Sequence, residues 1–290
     1  MNSRTAFRIT VFLASIAIVM ACSFSAPGAA PSESDVATVV ASTLQAHVAA
    51  TNFNNVTYGN VSLSIPEGLA TNALTGTVPA LTDSQQWSPW AVAPEHIEIL
   101  LDNYSQLSFY QHPQILIYPA QDFSSMSDQV KENIRRLQGI ANRSIPLAAE
   151  NMPGIPFFNA GQAIAAQMQT ISFKDGVGVR LVTQYANGIA PINNSALFYH
   201  FQGLTGDGKY YIIATLPTSA DFLPADETKY TIDSPGILDF PGYYKSNPTG
   251  DDFKAYFQAV ADKLNATSPA NFKPSLPTLD ALIQSISVNP

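Results

Sequence analysis

Two runs of alternating apolar residues, each folded about a glycine-marked turn, constrain this chain more than any other feature. The first covers residues 166–185, with Asp175-Gly176 at its centre. Val177, Val179, Leu181, Thr183 and Tyr185 fall at every second position, the period of one face of a β-strand. Asp-Gly supplies residues that tolerate φ > 0, which tight hairpin turns demand. In the second run, residues 197–202 and 210–216 flank Thr205-Gly206-Asp207-Gly208. Strands joined by such short turns pair antiparallel, so the middle of the chain is predicted to be antiparallel sheet.

Weaker signals flank these hairpins. Val61, Leu63 and Ile65 alternate with polar residues up to Pro66-Glu67-Gly68 and predict a strand. Ile97, Ile99 and Leu101 predict a second, and residues 115–118 a third, ended by Pro119. Met126, Val130, Ile134, Leu137 and Ala141 lie on one side of a helix over about 127–141, which leaves Lys131, Glu132, Arg135 and Arg136 in solvent. Phe253, Phe257, Val260 and Leu264 mark a later helix, with Asp251-Asp252 at its start. Leu279, Leu282, Ile283 and Ile286 mark the last, and Pro269, Pro274 and Pro277 separate the two. Residues 217–250 carry prolines, acids and aromatics without periodicity; a stretch of this length is often functional. The order of elements gives an α+β class: an antiparallel β-sheet of hairpins covered by helices.

An early strand ending in Pro66-Glu67-Gly68, a central meander and a closing helix through Leu282-Ile283-Gln284-Ser285-Ile286 together resemble the Mog1/PsbP-like fold. The resemblance spans most of residues 51–290, and residues 217–250 depart from it. It implies a binding or accessory protein, although a fold does not fix a function. Pro191-Ile192-Asn193-Asn194 and Tyr199-His200-Phe201-Gln202-Gly203-Leu204-Thr205 are similar to a group of bacterial lipoproteins, a likeness that implies no particular activity.

The N-terminus reads as a targeting segment. Arg4 and Arg8 precede an apolar core over residues 9–20, too short to span a bilayer, which takes ~20 apolar residues. Val19-Met20-Ala21-Cys22 follows and resembles the lipobox of bacterial lipoproteins. The resemblance implies cleavage before Cys22 and acylation of its thiol, with residues 1–21 as signal peptide. Two or more acyl chains hold a protein on a membrane where one does not. Ser23 after the cysteine implies export to the outer membrane in a cell with two membranes. Residues 22–35 are small, polar and proline-containing, a flexible tether. Val36, Val40, Leu44 and Val48 predict a linker helix over residues 36–50, and residues 51–290 form a single domain. The expected location is the cell envelope, on its extracytoplasmic side.

Charge and cysteine content then exclude several classes. The chain carries 14 basic and 22 acidic residues, and loss of Arg4 and Arg8 with the signal deepens the imbalance. An acidic protein does not suit nucleic acid, whose binding needs a basic face. Cys22 is the only cysteine, so once lipidated it leaves no thiol for disulfides, zinc or nucleophilic catalysis. Six Asn-x-Ser/Thr patterns, at Asn55, Asn60, Asn103, Asn142, Asn193 and Asn265, are chance matches in a bacterial lipoprotein.

No motif announces a reaction. Gly-x-Ser-x-Gly is absent, and Gly176-Val177-Gly178 belongs to a hairpin rather than a phosphate loop. His96 and Glu98 share a strand face, a minimal metal pair. Asp221, Asp226, Glu227, Asp233 and Asp239 are the acids available to a calcium ion. No cofactor and no catalytic residue is expected from these patterns. Aromatic residues on loops remain. Trp87 and Trp90 lie in Gln-Gln-Trp-Ser-Pro-Trp, and Tyr243 and Tyr244 follow Pro241-Gly242. Tyr199 and His200 must face opposite sides of their strand. Aromatic loops build binding surfaces, so these six residues are the candidate contacts to a protein, peptide, glycan or small ligand. The expectation is a lipid-anchored, non-catalytic binding or accessory module. The rivals are an envelope hydrolase with a convergent site near His96 or His200, and a purely structural role.

Overall fold

The computed structural model describes residues 55–82, 89–106, 108, 111–229 and 238–289. The signal peptide, Cys22, the tether, the linker helix and Trp87 therefore lie outside the described residues, as does Asp233. The architecture is mixed α+β with antiparallel sheets. Seven strands form the central sheet: β3 (Asn72–Val78), β4 (His96–Asp102), β5 (Gln114–Pro119), β7 (Ala166–Phe173), β8 (Gly176–Thr183), β10 (Phe198–Thr205) and β11 (Tyr210–Pro217). Their order is β3-β4-β5-β11-β10-β8-β7, and every neighbouring pair is antiparallel. The two expected hairpins are β7-β8 and β10-β11, and they pair with each other at the centre. A second sheet joins the hairpin β1 (Asn55–Tyr58) and β2 (Val61–Ser64) to β12 (Ser287–Val288). The two-residue strands β6 (Gly161–Gln162) and β9 (Tyr185–Ala186) pair separately.

Helices cover both faces of the large sheet. On one side lie α1 (Ala120–Met126) and α2 (Asp128–Ala141); α4 (Gly250–Ala266) and α5 (Leu276–Gln284) lie on the other. Between them runs the single turn α3 (Pro241–Tyr244), inside the stretch expected to lack periodicity. Both faces of the sheet thus carry a core. Ile99, Ile117, Tyr199, Ile212 and Leu282 belong to one, and Leu116, Tyr118, Val130, Leu181 and Tyr211 to the other. Antiparallel strands usually bury one face; here every residue of β10 is buried. No helix among the described residues is long and apolar enough to cross a membrane.

Local chemistry sets the helix ends. Ser127 caps α2, its side chain accepting from the Val130 amide. At α4 the cap is Thr249 rather than Asp251-Asp252. Its hydroxyl accepts from Asp252 N and the Asp252 carboxylate accepts from Thr249 N, a reciprocal pair of bonds.

The turn residues behave differently in the two hairpins. Gly208 has φ +72, as a tight turn requires, whereas Gly176 does not occupy the left-handed region. Gly176 is needed for space: a β-carbon there would overlap the Leu204 carbonyl. Gly178 continues this path, where an added β-carbon would lie 2.6 Å from both the Gly203 Cα and the Phe201 ring. Backbone cannot yield as a flexible side chain does. We expect Gly178→Ala to cost about 2–3 kcal/mol, at the upper end of overpacking effects, measured by urea unfolding; an unchanged midpoint would show that the sheet can open there.

Candidate binding groove

Three hollows lie along the α1–α2 side of the sheet, built mainly from irregular segments. The first, about 180 Å³, is walled by Leu81, Trp90, Ala93, His96, Tyr118 and Phe157, among others. Leu81 and Ala93 exchange backbone hydrogen bonds of 2.8 and 3.0 Å, which closes the Trp90-bearing loop against the end of β3. Trp90 is 41% exposed. His96 stacks on Tyr118 with ring centroids 4.3 Å apart, and its Nδ1 donates to the Pro94 carbonyl at 2.8 Å. This fixes Nε2 as the remaining acceptor. Burial lowers the His96 pKa, against the pull of the Pro94 carbonyl and Glu95, so the ring is neutral at pH 7. Glu98 sits two residues along on the same strand face, and burial raises its pKa against the lowering influence of His112.

The second hollow, about 450 Å³, has aromatic walls from Phe157, Phe158 and Tyr185 and polar walls from Gln111, Asn159, Gln184, Asn187, Asn193 and Glu227. Its volume falls within the ~300–1,000 Å³ of small-molecule sites. The aromatics hold one another: Phe158 meets Tyr185 edge-on at 5.4 Å and Phe157 at 5.2 Å. Two amides are structural, and that of Asn193 accepts from Ser195 Oγ at 2.7 Å and Ala196 N at 3.2 Å. Gln184 Oε1 accepts from Asn193 N at 3.1 Å while its Nε2 donates to Pro191 O at 3.2 Å. Gln111, Asn159 and Asn187 differ, for their side-chain amides have no hydrogen-bond partner among the described residues.

The third hollow, about 390 Å³, is bounded by Gln129, Glu132, Arg136, Met152, Gln162 and Tyr185, among others. Glu132 pairs with Arg136 at 2.9 Å and Arg135 at 2.7 Å; Arg135 first and Arg136 second hold its carboxyl down at about 2. Arg136 also donates to the Glu150 and Met152 carbonyls, both at 3.2 Å. Phe157 walls both the first and second hollows, and Ala160 and Tyr185 wall both the second and third. The three hollows are therefore neighbours along one stretch of surface, each sharing a wall with the next.

The structure distributes the expected site residues unevenly. Trp90 lines the groove. Tyr243 and Tyr244 are 49% and 46% exposed on α3, away from the walls of these three hollows. Tyr199 and His200 do face opposite sides of β10, but both have zero exposure, so neither belongs to a binding surface. Helices on both faces of the sheet bury them. Tyr199 Oη donates to Asp280 at 2.8 Å. His200 Nδ1 donates to Ala214 O at 3.0 Å, and its Nε2 accepts from the Gln202 amide at 2.7 Å. With both ring nitrogens engaged, His200 offers nothing to a hydrolytic site. The acids assigned to calcium are also committed in part. Asp221 pairs with Lys273 and Asp226 accepts from the Thr228 amide. Among the described residues no three His, Cys, Asp or Glu side chains group as metal ligands.

Sequence reasoning missed Phe157, Phe158, Asn159, Tyr185 and Asn187. The one signal for Phe157, Phe158 and Asn159 is compositional: Pro153-Gly154-Ile155-Pro156-Phe157-Phe158-Asn159 is an aromatic segment broken by proline and glycine. No family model, curated protein or solved structure matches this chain.

Proposed function

We propose that the chain is a lipid-anchored, extracytoplasmic protein of the cell envelope whose domain, of Mog1/PsbP-like kind, is a non-catalytic binding module. The observation that carries this reading is the pairing of uncommitted amides at Gln111, Asn159 and Asn187 with the aromatic walls of a 450 Å³ hollow. Polar groups able to orient a ligand beside apolar rings are the ordinary construction of a binding site. The anchor rests on the lipobox at Cys22. What supports the fold-family reading is the early strand running to Pro66-Glu67-Gly68, the antiparallel sheet between helix layers and the closing helix α5.

The anchor is tested by growing cells with an azide-tagged fatty acid. The wild-type chain is expected to carry the label and to sediment with membranes. Cys22→Ser should lose both properties; a variant that still acquires lipid refutes the assignment. A hydrolase at His96 is the second reading, favoured by a neutral imidazole in the wall of the first hollow with Glu98 on the same strand face. The binding reading expects a bound ligand to be recovered chemically intact after long incubation. Turnover that disappears in His96→Ala would establish the rival.

A further inference from the structure

We propose that the groove takes a linear, uncharged glycan chain, laid from the Trp90 hollow past Phe157 and Tyr185 towards Glu132. The inference rests on the binding-module reading and names its ligand. Adjacency argues for a chain: the hollows share Phe157, Ala160 and Tyr185 as walls, so an occupant longer than any one hollow comes up against the residues of the next. The distribution of charge argues for a neutral one. Among the described residues Glu227 is the only acid or base lining the second hollow, and in the third Glu132 and Arg136 neutralise each other. A polyanion would find no cation without a partner, and a polycation only one carboxylate.

The polar groups narrow the class further. Each amide presents a donor and an acceptor side by side, as does each hydroxyl of a sugar. The half-buried rings of Phe157, Phe158 and Tyr185 offer apolar faces to the C–H side of a pyranose. An extended peptide would be recognised mainly by adding a strand to a free sheet edge. In the second and third hollows the wall strands, β6 and β9, are two residues long and already pair with each other; β4 and β5, in the wall of the first, are paired on both sides. The former are too short to template an added strand and the latter have no free edge, so side chains must do the reading.

The test uses the full chain in detergent micelles, titrated calorimetrically with β-1,4-glucose, α-1,4-glucose and β-1,4-N-acetylglucosamine oligomers of increasing length. At least one series is expected to bind, with affinity rising about tenfold or more as added units engage further hydrogen bonds. Asn187→Ala and Trp90→Ala, both at exposed positions, are each expected to weaken the longest oligomer about three- to tenfold with an unchanged melting temperature. Affinity independent of length overturns the chain. Preference for an anionic oligomer overturns neutrality. If no oligosaccharide binds but a peptide library yields ligands lost in Asn187→Ala and Trp90→Ala, the glycan assignment fails and the binding module stands. If neither class binds, both fail.

Discussion

Lowering the pH from 6.5 to 4.5 is expected to cost the folded domain roughly 2–3 kcal/mol through one side chain, His200. The ring has zero exposure. Its Nδ1–H is spent on the Ala214 carbonyl, and its Nε2 lone pair faces the Gln202 amide nitrogen. The other hydrogen of that amide is shared between the Pro153 and Gly154 carbonyls, while its oxygen accepts from the Tyr211 hydroxyl. A proton on Nε2 would point at another donor, in a site with no exposure to solvent. Burial therefore pushes the pKa down to about 3, with the Ala214 carbonyl pulling weakly the other way. Between that value and the unfolded value of ~6.5, the unfolded chain binds a proton that the folded chain refuses. Stability is full above pH 6.5 and falls as pH drops, by about 1.4 kcal/mol per unit. His96, also lowered by burial, adds to the fall, while Glu98, raised by burial, opposes it. The comparison with His200→Asn isolates the one ring, because asparagine keeps a donor for Ala214 and cannot be protonated. Urea unfolding at pH 7, 6, 5 and 4.5 should show a slope smaller by about one proton in the variant. Equal slopes would mean that His200 takes up its proton in the folded state.

The same histidine illustrates what a linear sequence conveys. Alternation correctly places Tyr199 and His200 on opposite faces of a strand, because side-chain direction is a local property of the backbone. Whether a face is wet is not local. It depends on α2 and α5, which lie far away along the chain, and both faces of β10 are covered. The hairpins were legible for a similar reason: turn residues and period-two runs act over a few positions. Gly176 shows where that logic stops. Its role is close approach to Leu204, a contact made only once β8 and β10 pair. Helix α1 escaped notice because seven residues with two buried side chains, Ala120 and Phe123, make no readable period.

The groove was less legible than the fold. Trp90 announced itself by residue type alone. Phe157, Asn159 and Asn187 lie on irregular segments separated in sequence by β7 and β8, and only the folded sheet brings their walls together. Tyr243, equally conspicuous as a loop aromatic, packs beside Phe240 and away from the hollows: Phe240 meets Tyr243 at 5.2 Å and Tyr256 at 5.2 Å. Its prominence in sequence reflects in part the closing of the core around α4.

Removing the carboxylate of Asp280 is expected to destabilise the domain by about 3 kcal/mol, at the lower end of the loss on breaking a buried ion pair. Asp280 lies on α5, its Oδ1 3.4 Å from Arg180 Nε and 2.8 Å from Tyr199 Oη. The Arg180 side chain is 3% exposed, and its Nε has no hydrogen-bond partner, only this charge. Its other nitrogens donate to the Gln167 carbonyl and to Gln169 Oε1. Gln167, at φ +53 in the irregular part of β7, in turn donates to the Leu264 and Thr267 carbonyls at the end of α4. One guanidinium thus ties the central sheet to the middle of α5 and, through Gln167, to the end of α4. Burial raises the Asp280 pKa despite the opposing pull of Arg180 and Tyr199, so the charged pair as a whole adds little stability. The harm comes from leaving one charge alone. Asp280→Ala leaves Arg180 buried without its counter-charge, whereas Arg180→Met combined with Asp280→Leu removes both charges and should recover most of the loss. Urea midpoints of the wild type, Asp280→Leu, Arg180→Met and the double variant form a complete cycle. A coupling near zero would mean that solvent, not Asp280, balances Arg180, and that α5 is held by its apolar face alone.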